Sequence, residues 1–399
     1  IIYTGQWKLL FSITQVFNNT FSTWELMAVP FFILTGELMS RCGLVEELLA
    51  FVNNLVGRWR GGVAYATQIA TYCLAGIAGS ANAEAASVTR LLFPILRKEG
   101  FSGGTSAAIL SAASLKGAIV PPSMLYIMYG AITNTSIEQM FLGGFTVGFM
   151  VMLGHWTVVF LKVRRDPNIK RMEAGSFRDL VKTFWRAIPV LAIPFVIFFG
   201  MLTGWFTATE TGAAAAFISL AAGILFYKRL SLKSFGQALL VTAKNTGAVM
   251  LIIAASSILG YFFTFENIPR HVGDFMEIYI HSPLAFLMTV NVILLVLGFI
   301  IEPIPVILMM MPVLAPLSHQ YGLDPVHFGL IVCLNSLLGL LTPLVGGVLF
   351  VVAAISRVRF EDLGREVLPF LVVSWIVLFL ISVLPPSFVL WPRALMALF

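Results

Sequence analysis

The chain has 399 residues, of which 59% are apolar and 11% are charged. A soluble globular domain carries about 25% charged residues, so this composition excludes a water-soluble enzyme. At about 20 residues per membrane crossing, the length accommodates roughly 10–12 hydrophobic segments, and we predict an all-α polytopic membrane protein. The net charge of +6 falls mainly in short loops, where it sets membrane orientation, so no nucleic-acid partner is implied.

Several chemistries have no counterpart in the sequence. It contains no Gly-x-x-x-x-Gly-Lys-Ser/Thr phosphate loop, so ATP is not the energy source within this chain. The histidines lack metal-ligand spacing and no nucleophile with a partner base is visible, so we predict that the protein is not an enzyme. Cys42, Cys73 and Cys333 lie far apart and are interpreted as packing residues. Because the chain opens at Ile1 without an initiator methionine, we expect a leading segment to precede it.

The first polar interruption of an apolar region is the segment Ala78-Gly79-Ser80-Ala81-Asn82-Ala83-Glu84. Small residues let backbones approach closely, and Ser80 or Asn82 can cap the helix that follows. Carbonyl, hydroxyl and amide oxygens at such a break suit a hard cation such as Na⁺, whereas the start of a helix favours an anion. A packing motif with an ordinary helix cap is the alternative.

A second break, Val120-Pro121-Pro122-Ser123, follows an apolar helix that contains Lys116. A cation beside a helix break would attract a carboxylate substrate. The alternative is that the long side chain of Lys116 extends to a membrane interface.

A basic segment divides the chain into two halves. Between Lys162 and Arg186 it carries eight lysines and arginines against three acidic residues, and the positive-inside rule predicts that it is cytoplasmic. Beyond it, Thr207-Ala208-Thr209-Glu210 resembles a helix start with an acid in the first turn. We therefore interpret Glu210 as a structural residue.

The second half repeats the order of events of the first. Gly298 is followed by a turn at residues 321–325 and by the break Leu341-Thr342-Pro343. Each unit contains apolar pieces of about 12–17 residues, which are too short to cross a bilayer. We therefore predict two inverted structural repeats, each with a re-entrant helical hairpin and a broken helix. Broken helices at matching places point to a substrate and ion site near the membrane midplane.

Glu302 lies at the end of an apolar run, directly before Pro303. A carboxylate at membrane depth is costly unless it is paired or hydrated. Glu302 can bind Na⁺, carry a proton, or cap the next helix at an aqueous edge, and we favour a role in the site because a new helix starts at Pro303.

Seven motifs in a fixed order resemble one family over nearly the whole chain. They are Gly36-Glu37-Leu38-Met39, Arg60-Gly61-Gly62, Gly79-Ser80-Ala81-x-Ala83-Glu84, Pro121-Pro122-Ser123, Phe206-Thr207-x-Thr209-Glu210, Asp324-Pro325-Val326-His327-Phe328-Gly329 and Thr342-Pro343-x-Val345-Gly346. Each is weak alone, but together they are similar to the large membrane subunit (M, DctM-like) of tripartite ATP-independent periplasmic (TRAP) transporters. Glu84, Glu302 and Lys116 depart from the usual pattern of that family.

The resemblance implies a bacterial inner-membrane permease with an elevator-type mechanism. It would import an organic acid (a C4-dicarboxylate, a sugar acid or a sialic-acid-like compound) with Na⁺ as the coupling ion. Its partners would be a small four-helix membrane subunit (Q type) and a periplasmic substrate-binding protein (P type). The substrate-binding residues predicted from the helix breaks and from this resemblance together are Asn82, Lys116, Pro122, Ser123, Thr342 and Pro343. The predicted Na⁺ ligands are Gly79, Ser80, Gly117, Gly298, Glu302, Gly339 and Thr342.

These expectations divide the chain into six segments. They are N-terminal scaffold helices (1–60), a first transport repeat (61–160), basic loops with connecting scaffold helices (161–235), a scaffold helix with a connecting arm (236–282), a second transport repeat (283–360) and a C-terminal helix (361–399). A stand-alone Na⁺- or H⁺-coupled organic-anion carrier and a passive channel are the alternatives. The first predicts uptake without a binding protein, and the second predicts flux that follows only the substrate's own gradient.

Overall fold

The computed structural model describes residues 8–22, 24–74, 80–171, 176–343 and 346–396, which form helices joined by short turns. Within these ranges, extended backbone pairs only in an isolated bridge between Arg60 and Arg171. Among the described residues, seven helices are long and apolar enough to cross a bilayer, or nine if two bent helix pairs are counted as spans. Two further apolar helices are shorter. The predicted all-α polytopic membrane protein is confirmed.

The helices of the first half are α1 (Lys8–Phe21), α2 (Ala28–Arg41), α3 (Leu44–Val56), α4 (Gly62–Cys73), α5 (Ala81–Glu99), α6 (Gly103–Ser114), α7 (Lys116–Ile119), α8 (Met124–Thr133) and α9 (Ile137–Arg165). Those of the second half are α10 (Phe177–Leu202), α11 (Ala208–Ala221), α12 (Leu232–Phe265), α13 (Ile268–Tyr279), α14 (Pro283–Gly298), α15 (Pro303–Gln320), α16 (Pro325–Leu338), α17 (Gly347–Ser356), α18 (Phe360–Val383), α19 (Pro386–Val389) and α20 (Trp391–Met396). Short 3₁₀ turns lie at Trp24–Met27 and Gly339–Leu341, and a π-helical turn at Ala222–Phe226.

Helices α4 and α5 are the arms of the first hairpin. At its base, the Glu99 carboxylate accepts a hydrogen bond from the backbone N–H of Val63 (3.4 Å), so the end of α5 lies beside the start of α4. Gly61 and Gly100 flank this base with φ of +72° and +107°, a left-handed conformation that glycine adopts at little steric cost. The 12 residues of α4 extend only about 18 Å, which is too short for a bilayer core of about 30 Å.

The first broken helix follows this hairpin. Ser102 caps α6 by accepting a hydrogen bond from the backbone N–H of Thr105 (3.1 Å). The helix continues through the single turn of α7, leaves helical conformation at Val120, and resumes as α8 after a cis Pro121–Pro122 bond. The whole segment is enclosed by protein, since the most apolar part of Gly103–Thr133 is completely buried.

Helices α14 and α15 form the second hairpin. The ring of Phe286, near the start of α14, stacks on that of Tyr321, directly after α15, with centroids 4.6 Å apart. This contact marks the base of the hairpin and places its tip at residues 298–302. Pro303 begins α15 at a position where a helix needs no backbone N–H. The second broken helix consists of α16, the 3₁₀ turn at Gly339–Leu341 and α17.

The two repeats run in opposite directions. Near the end of α8, the Tyr129 hydroxyl donates to the carbonyl of Pro325 at the start of α16 (2.8 Å). At the start of α6, the Thr105 hydroxyl donates to the carboxylate of Glu366 (2.9 Å), which lies shortly after the end of α17. The two broken helices are therefore antiparallel and the hairpins enter from opposite faces, as the inverted repeats predict.

The base of the first hairpin lies on the face that carries the basic loop. The Arg60 guanidinium donates to the backbone carbonyls of Ile169 (2.9 Å) and Asp166 (2.6 Å). The backbone N–H of Lys170 donates to the carbonyl of Glu99 (2.8 Å). The positive-inside rule predicts that this face is cytoplasmic.

Outside the repeats, α2 contacts α11 and α12, and α3 contacts α10, while α3 and α12 also pack on α4 and α15 of the two hairpins. Helix α11 begins with a capping box, because the Glu210 carboxylate accepts from the Thr207 backbone N–H (2.8 Å) and the Thr207 hydroxyl accepts from the Glu210 N–H (3.3 Å). The structural role predicted for Glu210 is confirmed. Cys42, Cys73 and Cys333 are free thiols, in agreement with their interpretation as packing residues.

Asp324 anchors the start of α16, and we expect Asp324→Asn to destabilise the protein. Its carboxylate accepts from the backbone N–H groups of Val326 (2.9 Å) and His327 (3.0 Å) and pairs with Arg393 (2.7 Å). Burial opposes ionisation, but the Arg393 and amide hydrogen bonds outweigh it and lower the pKa of Asp324. Asparagine keeps an oxygen that can cap the helix but removes the charge that pairs with Arg393, and loss of such a partly exposed ion pair costs about 0.2–1 kcal/mol.

The contribution of Asp324 to folding stability should depend on pH. Because the folded-state pKa lies below the unfolded value, the stabilisation by Asp324 is complete at neutral pH and disappears as the pH falls through the folded-state pKa. Thermal unfolding in detergent should show a gap between wild type and Asp324→Asn that closes on acidification below about pH 4. A gap independent of pH would show that the charge does not matter.

Candidate substrate and ion site

The Glu84 carboxylate, one turn after the tip of the first hairpin, lies against the backbone of the first broken helix. The residue is buried, with 5% exposure, and one carboxylate oxygen occupies the space that a side chain at Gly117 would need. Glycine at 117 is therefore required for this approach. Glu84 also interacts electrostatically with Lys116, so hairpin and break are joined by packing and by charge.

Lys116 is fully buried at the start of α7. Its ammonium donates to the side-chain carbonyl of Gln68 and to the backbone carbonyl of Ala112 (3.3 Å), and lies 3.3 Å from Nδ1 of His155. Nε2 of His155 lies 2.9 Å from the Ser374 hydroxyl. If the neutral imidazole carries its proton on Nε2, His155 accepts from Lys116 at Nδ1 and donates to the Ser374 hydroxyl at Nε2. The ammonium is thus held by groups on α4, α6 and α9.

These contacts exclude one of the two interpretations of Lys116. Extension of the side chain to a membrane interface is wrong, because Lys116 is 0% exposed. Its prediction as a substrate-binding residue stays a prediction, but in this structure protein groups surround the ammonium. The cation therefore holds the start of the break through Gln68 and the Ala112 carbonyl and interacts with Glu84 by charge.

The start of α5 faces the start of α17. Asn82 in the first turn of α5 packs on Gly347, where an added Cβ would lie 3.3 Å from the Asn82 amide oxygen. Ser80 occupies the N-cap position, but its hydroxyl makes no capping bond, so the predicted cap by Ser80 is wrong. Ser80 is exposed at the hairpin tip. Gly79 lies outside the described residues.

Two buried oxygens at this place accept no hydrogen bond from the described part of the chain. They are the Asn82 amide oxygen and the second carboxylate oxygen of Glu84. A buried acceptor without a donor carries a desolvation penalty of about 1–3 kcal/mol, and a bound cation removes that penalty. The residues present therefore fit a hard cation at the tip of the first hairpin.

Pro122 and Ser123 close the first break. Both are buried, and the Ser123 hydroxyl donates to the carbonyl of Ala118 across the break (2.5 Å). This bond satisfies one of the carbonyls that the interrupted helix leaves free. Ser123 also holds the N-cap position of α8 without a side-chain capping bond, so the first N–H groups of α8 remain available.

The tip of the second hairpin contacts the second break directly. Gly298 and Gly339 meet backbone to backbone, and a methyl group at Gly339 would overlap the Gly298 carbonyl. The Thr342 hydroxyl donates to the Gly339 carbonyl (2.6 Å). Three of the predicted Na⁺ ligands thus lie together. Glu302 is exposed at the N-cap of α15 and its side chain makes no capping bond.

Pro343 lies at the edge of this group. It is partly buried and faces Gly364 of α18, where an added Cβ would lie 3.4 Å from the proline ring. The predicted residues thus form two clusters, one around Glu84 and Gly117 and one around Gly298 and Gly339, connected through the contact between Asn82 and Gly347.

A cavity of about 180 Å³ separates the Glu84 cluster from the outer helices. Its lining includes Gly36, Glu37 and Ser40 of α2 and Ala83, Glu84 and Ser87 of α5. Glu84 lines this cavity, whereas none of the predicted substrate-binding residues does.

Sequence reasoning missed the partners of Lys116. Gln68, His155 and Ser374 lie 48, 39 and 258 positions from Lys116 in the sequence, on α4, α9 and α18. Nothing in their spacing connects them. One weak signal existed, since a glutamine and a histidine inside apolar helices require polar partners.

The family comparison agrees with this architecture. A family model described as the DctM component of tripartite ATP-independent periplasmic transporters matches residues 1–387. The chain belongs to the DctM family. DctM proteins are the large permease components of tripartite systems, so the chain is a multi-pass transporter subunit with partner subunits and not an enzyme.

Several DctM relatives resemble the chain over most of its length. It is 31% identical to the sialic acid TRAP transporter large permease protein SiaM of Vibrio cholerae, over 98% of this chain and 92% of the relative. It is 30% identical to the 2,3-diketo-L-gulonate TRAP transporter large permease protein YiaN of Escherichia coli, over 94% and 88%. It is 31% identical to the C4-dicarboxylate TRAP transporter large permease protein DctM of Pseudomonas aeruginosa, over 92% and 86%.

The fold of this DctM protein also has a solved counterpart. The crystal structure of the Alcanivorax borkumensis YdaH transporter aligns with a TM-score of 0.67 over 95% of this chain and 88% of that protein, at 12% sequence identity. At this level of sequence identity, the similarity supports a shared fold only.

Proposed function

We propose that the chain is the membrane-embedded permease of a Na⁺-coupled importer in the bacterial inner membrane. A periplasmic binding protein would deliver the substrate, and a small four-helix membrane subunit would complete the complex. The substrate would be an organic acid, because relatives carry names for diketogulonate, sialic acid and C4-dicarboxylates. The rest of the proposal assigns roles to residues of this chain.

The proposed Na⁺ coupling is supported by the oxygen atoms that lie together at the hairpin tips. In the first repeat, buried oxygens of Asn82 and Glu84 accept no hydrogen bond from described residues. In the second, the carbonyls of Gly298 and Gly339 and the hydroxyl of Thr342 lie together. Unwound backbone carbonyls beside broken helices are typical ligands of coupling Na⁺ ions.

The proposed substrate position lies between the starts of α5 and α17. The N-terminal end of a helix carries partial positive charge and free N–H groups, and the contact between Asn82 and Gly347 brings two such ends together. Thr342 and Pro343 precede α17, and Pro122 and Ser123 precede α8. A carboxylate held there would face helix starts from both repeats, while Lys116 offsets the charge of Glu84.

We further propose that both repeats move as one body against a scaffold. The moving body would contain 61–160 and 283–360, and the scaffold would contain 1–60, 161–235 and 236–282. Helix α18 packs along α6 and α9, so we place it with the moving body. The cavity between α2 and α5 would then lie on the sliding surface.

The decisive test is uptake into proteoliposomes that contain this chain and its small membrane partner. A panel of labelled organic acids is offered with and without an inward Na⁺ gradient and the binding protein. We expect concentrative uptake that requires both. Uptake without the binding protein would favour a stand-alone carrier, and flux that ignores the Na⁺ gradient would refute Na⁺ coupling.

Glu302→Gln is expected to weaken the Na⁺ dependence of uptake. The neutral amide removes a negative charge from the tip of the second hairpin, so half-maximal uptake should require a higher Na⁺ concentration. The matched control is Glu277→Gln, which neutralises an exposed acid on α13 and should leave the Na⁺ response unchanged. If both variants respond to Na⁺ like wild type, Glu302 is not part of the ion site.

A further inference from the structure

A groove of about 1170 Å³ lies on the outer face of the first repeat, at the level of the basic loop. Its charged lining consists of four arginines, Arg58, Arg60, Arg164 and Arg171, and none of its described lining residues is acidic. We call it the arginine groove. Four like charges around one groove are unfavourable unless a negatively charged group lies among them.

Three of the four arginines are free to bind such a group. Arg60 is committed to the carbonyls of Ile169 and Asp166, and its backbone bridge to Arg171 fixes the loop against the hairpin base. Arg58, Arg164 and Arg171 are exposed. Within the described ranges, these three side chains form no ion pair.

The rest of the groove is apolar and follows one face of α9. Leu153, Trp156, Phe160 and Leu161 line it, at the three- and four-residue spacing of a helix face. Phe160 is 55% exposed and Leu161 is 49% exposed. From Leu153 to Arg164 this face extends about 16 Å, which is about half of a 30 Å bilayer core. The apolar strip therefore has the depth of one leaflet.

An aromatic cluster connects the charged and apolar parts. Trp59, Tyr65 and Trp156 pack edge to face, with centroids 5.6–6.2 Å apart. Tryptophan and tyrosine are enriched where the bilayer meets water. The buried indole N–H of Trp156 has no acceptor among the described residues.

We propose that the arginine groove binds an anionic phospholipid of the cytoplasmic leaflet. The phosphate and the headgroup charge would lie among Arg58, Arg164 and Arg171, and an acyl chain would lie along the α9 face. Charge complementarity favours this occupant over a protein helix, because the groove gathers positive charge at headgroup level and offers a mainly apolar surface below, with Thr157 as the polar exception on α9. A bound lipid would connect the loop that carries Arg171 to the hairpin base at Trp59.

The test is native mass spectrometry of the full chain, purified in detergent, with phosphatidylglycerol or phosphatidylcholine added. The groove variant carries Arg58→Gln, Arg164→Gln and Arg171→Gln. The control carries Arg178→Gln, Lys182→Gln and Lys233→Gln, which remove the same charge from exposed positions elsewhere. We expect wild type and control to retain one phosphatidylglycerol, and the groove variant to bind it roughly 100-fold more weakly.

Other outcomes would overturn the proposal. Equal retention by the groove variant would show that the arginines do not bind the lipid, and equal retention of phosphatidylcholine would show that charge is not recognised. Displacement of the lipid by millimolar inorganic phosphate would identify a free-anion site. Loss of the lipid when the small membrane subunit is added would show that a protein covers the groove. Thermal unfolding of each variant without lipid reports whether it is folded.

Discussion

A Lys116→Met variant is expected to unfold at a markedly lower temperature and to lose most of its uptake. Methionine retains the length of the side chain but removes the charge, which leaves Glu84 buried beside Gly117 without its cation. Breaking a direct buried ion pair by removing one partner costs about 3–5 kcal/mol. Among the described residues Lys116 and Glu84 interact by charge without a direct ion pair, so this figure is an upper bound for the loss. Gln68 and His155 would also lose their donor. The measurement is thermal unfolding in detergent, followed by uptake at saturating Na⁺.

A double-mutant cycle makes this prediction specific. Combining Lys116→Met with Glu84→Gln removes both charges, so the double variant should be more stable than the sum of the two single losses implies. Lys244→Met on α12 is the control, because that lysine is exposed and its loss should change little. Additive losses at Lys116 and Glu84 would show that the two side chains do not interact.

A Gly339→Ala variant is expected to fold but to respond poorly to Na⁺. The added methyl group would overlap the Gly298 carbonyl, so the tip of the second hairpin has to move away from the break. Overpacking of this kind costs about 1–3 kcal/mol, which corresponds to a loss of roughly 5- to 150-fold in Na⁺ affinity if the whole cost falls on the ion site. The Na⁺ concentration that gives half-maximal uptake measures this loss.

The control for this variant is Gly247→Ala on α12. There an added Cβ meets nothing within 4 Å, and alanine favours the helix by about 1 kcal/mol. This variant should transport like wild type and be equally or slightly more stable. Wild-type Na⁺ affinity in Gly339→Ala would mean that contact between hairpin tip and break is not needed for ion binding.

Much of the architecture could be predicted because it depends on local features. The hairpins were predicted from apolar pieces too short to cross a bilayer, and the breaks from Pro121-Pro122 and Thr342-Pro343. The cap at Thr207 and Glu210 was predicted from spacing alone. Each of these features depends on residues a few positions apart, where helix geometry and proline chemistry dominate.

What could not be predicted depends on distant residues. The environment of Lys116 is set by α4, α6 and α9, so local sequence contains no basis for choosing between a substrate ligand and an interfacial side chain. The contact of Glu84 with Gly117 likewise depends on how the first hairpin meets the first break. Ser80 shows the limit even of local rules, because the residue occupies a cap position while its hydroxyl forms no cap.

The cavity between α2 and α5 has a mechanical consequence. Its lining combines small residues, Gly36 and Ser40 on α2 and Ala83 and Ser87 on α5, with larger ones such as Glu37 and Val88. Large side chains that interdigitate resist sliding, since packing the ridges of one helix into the grooves of another fixes their register. If the repeats move against the scaffold as proposed, the small residues lower this resistance. Enlarging Gly36 or Ala83 would then slow the transport cycle without altering the ion ligands.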